Sequence, residues 1–83
     1  MAYYVYCLIS QKQKKFHYYG YTSNLEERLE RHNAGRVRTT SRFLPVELLG
    51  YKEFKTEFEA RQFEKDLKTK ASYRKNFIQE LLS

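Results

Sequence analysis

The run Ala2-Tyr3-Tyr4-Val5-Tyr6-Cys7-Leu8-Ile9 is apolar or aromatic at every position, and that restricts the folds open to this chain. At a period of two, Tyr4, Tyr6 and Leu8 project to one side and Val5, Cys7 and Ile9 to the other. Neither side is polar. A strand of this kind is covered on both faces, so the run is predicted as the central strand of a small sheet. The polar, basic stretch Ser10-Gln11-Lys12-Gln13-Lys14-Lys15 has the length of a hairpin connection, and Phe16-His17-Tyr18-Tyr19-Gly20-Tyr21 reads as the returning strand. Antiparallel pairing puts Tyr18 with Phe16 on one face and Tyr19 with His17 on the other. Cross-strand packing accounts for any single one of these tyrosines. Gly20 has no side chain and lets a backbone or a ligand come close.

The segment from Thr22 to Gly35 reads as a helix. Ser23 and Glu26 make a capping box, Leu25 and Leu29 an apolar stripe, and Gly35 a left-handed stop. At about 100° per residue, Glu26, Glu27, Glu30 and Arg31 fall toward water. Arg28 and His32, one turn apart, fall at the border of the face that meets the protein. Two readings stay open. Either a cation and a titratable ring point at one anion, or Arg28 lays its stem over the sheet and His32 is an edge residue with a satisfied ring.

Arg36-Val37-Arg38-Thr39-Thr40-Ser41-Arg42 comes next, rich in guanidinium groups and hydroxyls. Arg36, Arg38, Thr39, Thr40 and Arg42 suit phosphate oxygens, although a solvated basic loop has the same composition. After Pro45, Val46 to Phe54 alternates as a third strand, with Gly50 a bulge position. Thr56 and Glu59 form a second capping box, opening a helix to about Lys68 with Ala60, Phe63 and Leu67 on its apolar face. Glu64 lies beside that face, and a carboxylate there requires a basic partner or a metal ion. Tyr73, Phe77 and Leu81 mark a closing amphipathic helix, with Ser72 as its cap. The order β-β-α-β-α-α predicts an α/β sandwich, a three-stranded antiparallel sheet flanked by three helices.

Eighty-three residues suffice for one domain spanning 1–83, because a chain this short buries only about two-thirds of its unfolded surface. The formal charge of +6 attracts polyanions, of which nucleic acid is the common one. A single cysteine, Cys7, forms no internal disulfide and suits a reducing compartment. No apolar run approaches the ~20 residues that span a bilayer, and the N-terminus lacks a signal peptide's basic start, so a cytoplasmic location is expected.

Tyr4-Val5-Tyr6, Tyr18-Tyr19-Gly20 after a short hairpin, Arg28 and His32 on the next helix and Glu64 on the second together resemble the GIY-YIG nuclease domain. The resemblance covers nearly the whole chain. It is closest to the stand-alone bacterial type, which is similar to the N-terminal domain of the excinuclease subunit that makes one repair incision. Tyr4 and Val5 stand where the family name has Gly and Ile, and Tyr19 stands for the central Ile of the second motif. Tyr21 and Thr22 occupy a stretch where some members carry a lysine.

The resemblance implies a metal-dependent endonuclease hydrolysing DNA phosphodiester bonds in repair or recombination. Tyr6, Tyr18, Arg28, His32 and Glu64 are its implied catalytic residues, with Glu64 holding Mg²⁺ or Mn²⁺. Arg28 would neutralise charge at phosphorus, and Tyr6 would orient or deprotonate water, its pKa lowered by Arg28 and the ion. Asn76 is loosely matched to a family asparagine and is grouped with the nucleic-acid-binding residues. The expected partner is branched, damaged or single-stranded DNA, with a homodimer or a protein partner also open and no membrane. The alternatives are a non-catalytic basic nucleic-acid-binding module and an accessory subunit of a larger nuclease.

Overall fold

The computed structural model describes residues 1–83. Its elements are β1 (Tyr3–Ser10), β2 (His17–Thr22), α1 (Leu25–Asn33), β3 (Val46–Phe54), α2 (Glu57–Thr69) and α3 (Ala71–Leu82). The sheet runs β2-β1-β3 with both pairings antiparallel, so the all-apolar run is its middle strand. Alternation divides the packing as the side-chain period requires. Val5, Cys7 and Tyr19 meet Ala60, Leu67 and Phe77 of α2 and α3 on one face. On the other, Tyr6, Leu8 and Val46 meet Leu25 and Leu29 of α1, with Tyr18 alongside. The result is the expected sandwich with three helices. Pairing shifts register where Cys7 faces Gly50 and Leu8 faces Leu48, which puts an extra residue at Leu49 beside the anticipated bulge glycine.

Two caps differ from expectation. Asn24, not Ser23, caps α1, its Oδ1 accepting from the Glu27 N–H at 3.2 Å. The reason lies one residue earlier, where Thr22 Oγ1 accepts the Asn24 N–H at 3.1 Å and delays the helix start. α3 begins at Ala71 with no side-chain cap, leaving Ser72 inside its first turn. Lys70 alone joins α2 to α3, its N–H closing α2 on the Asp66 carbonyl at 2.8 Å, so no position remains for a separate capping residue. Thr56 does cap α2, accepting from the Glu59 N–H at 3.2 Å, and the Glu59 carboxylate takes the Thr56 hydroxyl at 3.0 Å.

Two side-chain contacts hold the frame around the helices. Asn33, the last residue of α1, pairs its amide with both backbone groups of Val46, donating at 3.1 Å and accepting at 3.0 Å. That fastens the end of α1 to the start of β3. Arg74 donates to the Leu67 carbonyl at 2.8 Å, satisfying one of the orphan acceptors at the end of α2.

Candidate active site

α1 positions the first group of site residues, and its end is fixed by the backbone. Gly35 takes φ +76°, the Gly35 N–H bonds the His32 carbonyl at 3.0 Å, and the Arg36 N–H bonds the Arg31 carbonyl at 3.2 Å. This left-handed stop closes the helix just after His32, which lies in its last turn with its ring directed inward. His32 is fully buried, not at the edge, so it cannot share an anion with Arg28. Its Nε2 lies 3.0 Å from the Tyr6 hydroxyl and its Nδ1 2.8 Å from Thr40 Oγ1.

The direction of each bond follows from its neighbours. Thr40 Oγ1 donates to the Val37 carbonyl at 3.3 Å and therefore accepts from His32 Nδ1–H. The Nε2 lone pair then accepts the Tyr6 O–H, and the Tyr6 oxygen accepts from Arg28 Nε–H at 3.3 Å. A single directed chain thus runs from Arg28 through Tyr6, His32 and Thr40 to a backbone carbonyl. Tyr18 lies beside this chain, its ring meeting His32 edge-on at 4.9 Å and Tyr6 at 6.3 Å.

Burial governs the charges. It pushes the Tyr6 phenol up to about 12, with the Arg28 hydrogen bond opposing the shift and not reversing it. Arg28 does lower this pKa, as expected, but burial outweighs it, because a fully enclosed phenolate loses more solvation than one guanidinium returns. Burial also lowers His32 to about 4, assisted by the Arg28 charge. At neutral pH the imidazole is uncharged, as an acceptor for a tyrosine proton must be.

A lowered histidine pKa contributes stability that is complete above the unfolded value of about 6.5 and drains as pH falls toward about 4, since only the unfolded chain binds that proton in the interval. The urea midpoint is expected to drop across that window. Thr40→Val leaves Nδ1–H buried without an acceptor and is expected to cost about 1–3 kcal/mol at pH 7. Imidazole ¹⁵N spectra should show the Nδ1–H tautomer in the parent and lose it in the variant. Unchanged spectra and midpoint would reduce Thr40 to a space filler.

α2 supplies the acid. Glu64 is half-buried, and it is near enough for its charge to raise the pKa of Tyr6, Arg28 and Tyr21. Its ionic partner is Lys68, one turn on at 3.4 Å and itself half-exposed, a weak contact that solvent or an ion can displace. No three His, Cys, Asp or Glu side chains cluster as a metal cage. One hard carboxylate beside open solvent still fits Mg²⁺ or Mn²⁺, which retain several waters and need only one or two protein carboxylates when phosphate oxygens join them.

The other expected nucleic-acid contacts separate. Thr40, grouped by sequence with the phosphate-binding hydroxyls, is fully buried beneath His32 and offers nothing to solvent. Arg36, Arg38, Thr39 and Arg42 are exposed, Arg36 beside Glu30 and Arg31, and Ser41–Phe43 form a short 3-10 turn. Asn76 lines a groove with Lys52, Phe63 and Glu80 over β3, at the sheet edge opposite β2, and does not join Tyr6 and Arg28. Thr40 as a partner of His32 escaped the sequence reading because a threonine eight residues beyond a histidine carries no periodic signal.

No curated protein and no solved structure matches the chain significantly. The family comparison is decisive by itself: the GIY-YIG catalytic domain matches residues 2–76, a span that holds both tyrosine motifs, Arg28, His32 and Glu64. With most of its length inside that match, the chain belongs to the GIY-YIG family of nuclease domains.

Proposed function

We propose that this chain is a metal-dependent endonuclease that hydrolyses DNA phosphodiester bonds, acting on branched, damaged or single-stranded DNA in repair or recombination. The observation that supports it best is the directed hydrogen-bond chain from Arg28 through Tyr6 to a neutral His32, with the Glu64 charge acting on its first two members. Glu64 would hold a Mg²⁺ or Mn²⁺ ion, and the ion would supply Lewis-acid charge to a bound phosphate.

The chain's own residues account for the remaining steps. Arg28 spends only Nε on Tyr6, so its terminal nitrogens stay free for two phosphate oxygens and for the charge that grows on them. Tyr6 is a relay. As a water attacks phosphorus and the bond to the leaving sugar oxygen breaks, the water's proton passes to the Tyr6 oxygen while the Tyr6 proton passes to His32 Nε2. No free phenolate forms, and the leaving oxygen takes its proton from solvent. The imidazolium that results donates from both nitrogens, one to Tyr6 and one to Thr40.

A second reading has one observation in its favour. Tyr6 is 1% exposed, and a phenol this enclosed also suits a basic binding module in which the same residues only shape the surface. A panel of linear, branched and single-stranded DNA, incubated with Mg²⁺ and with Mn²⁺, separates the two. At least one member is expected to be nicked or cut. Binding across the panel with no cleavage in either metal would leave the binding module as the function.

A further inference from the structure

We propose that the outer face of α2 docks an unpaired nucleic-acid strand, with Phe58 stacking on a base and Arg61 and Lys65 taking its phosphates as it enters the site at Glu64. This rests on the nuclease reading and adds where the strand lies and what it must expose.

Phe58 carries the inference. Five of the six phenylalanines have an aromatic partner or a core position: Phe16 stacks on Phe43, and Phe54, Phe63 and Phe77 pack together. Phe58 has neither and is 76% exposed, on the first turn of a helix whose apolar face is already used by Ala60 and Leu67. At positions i, i+3 and i+7, Phe58, Arg61 and Lys65 form one stripe. They line an open groove of about 440 Å³ together with Gln62 and Glu64, and Glu64 is its one acid.

Charge identifies the occupant. Lys52, Lys68 and Lys70 are engaged with acids, whereas Arg61 and Lys65 form no ion pair. Two free cations beside an exposed ring, in a groove that shares its carboxylate with the active site, complement a polyanion with aromatic faces better than an apolar peptide. The stripe is about 10 Å long at 1.5 Å per residue, and the ~6 Å rise from Arg61 to Lys65 suits two neighbouring phosphates of one strand. A duplex hides base faces within its stack, so the ring selects a strand whose bases are unpaired.

Fluorescence anisotropy in EDTA tests this with two labelled probes, a blunt duplex and the same duplex carrying an oligothymidine tail. Phe58→Ala is expected to weaken binding of the tailed probe about tenfold and leave the blunt one within about twofold, with Phe58→Tyr restoring the difference. Replacing Arg61 and Lys65 by alanine should reduce the salt slope on the tailed probe by about 1.4, or about 0.7 for each phosphate no longer neutralised. Equal weakening on both probes, or none on the tail, would overturn the docking face. If the parent cuts DNA while Phe58→Ala behaves like it on the tail, this inference alone fails. A parent that binds neither probe takes the nuclease reading down as well.

Discussion

Glu64→Ala is expected to remove cleavage of any DNA that the parent protein cuts, by about a thousandfold or more, while binding persists. The size follows from the donor set. Glu64 is the one carboxylate whose charge acts on both Tyr6 and Arg28, and no His, Cys, Asp or Glu cluster stands by to replace it. Several kcal/mol of transition-state stabilisation from an ion held there corresponds to at least that factor, at about tenfold per 1.36 kcal/mol. Binding should hold or tighten slightly, because the substitution removes a negative charge from a surface of net charge +6. Stability should change little, since the carboxylate's ionic partner is the half-exposed Lys68, which water solvates equally well. Cleavage in Mg²⁺ and DNA affinity in EDTA, measured on the same preparation, make the separation visible. Cleavage at the parent rate would remove Glu64 from the mechanism, and joint failure of cleavage and binding would make its role structural.

The architecture was legible in the chain because its signals are local and periodic. β1 is apolar on both faces and became the middle strand, Gly35 has no side chain and took the positive φ that ends α1, and Thr56 caps α2. Helix starts were less legible where several capping residues compete. Thr22, Ser23 and Asn24 all qualify, and the choice fell to Asn24 once Thr22 had taken its N–H. Depth at the site was not legible at all. Periodicity put Arg28 and His32 at the same border, yet one keeps free nitrogens while the other is wholly enclosed. His32 is closed in by Tyr6, Tyr18 and Thr40, the last held against Nδ1 by a turn that the sequence presents only as a basic loop. The pKa of Tyr6 is legible only in part: its cationic neighbour can be read from helical spacing, its removal from solvent cannot.

Gly20→Ala should damage both stability and activity, through the phenol that lies across it. Tyr6 pairs directly with Gly20 in the sheet and extends its ring over that position. A Cβ there would stand 2.5 Å from the Tyr6 hydroxyl oxygen, 2.7 Å from Cζ and 3.2 Å from a ring carbon of Tyr18. An exposed side chain would swing aside, but Tyr6 is enclosed and tied at its oxygen to Arg28 and His32. Moving it strands the His32 Nε2 without a donor. Overpacking of this kind costs about 1–3 kcal/mol, and a displacement near 1 Å at a reacting group costs about a hundredfold in rate. Tyr6→Phe tests the cause, because it removes the nearest atom and both hydrogen bonds that hold the ring in place, so that the ring can yield to the new methyl at Cζ. The two substitutions should be less than additive in stability, with a coupling of about 0.5–3 kcal/mol between them. In cleavage, Tyr6→Phe alone should already reach the floor, so adding Gly20→Ala lowers the rate no further. Strict additivity in urea unfolding would mean that the alanine acts on the strand backbone. The bare backbone at position 20 would then no longer be explained by the phenol it accommodates.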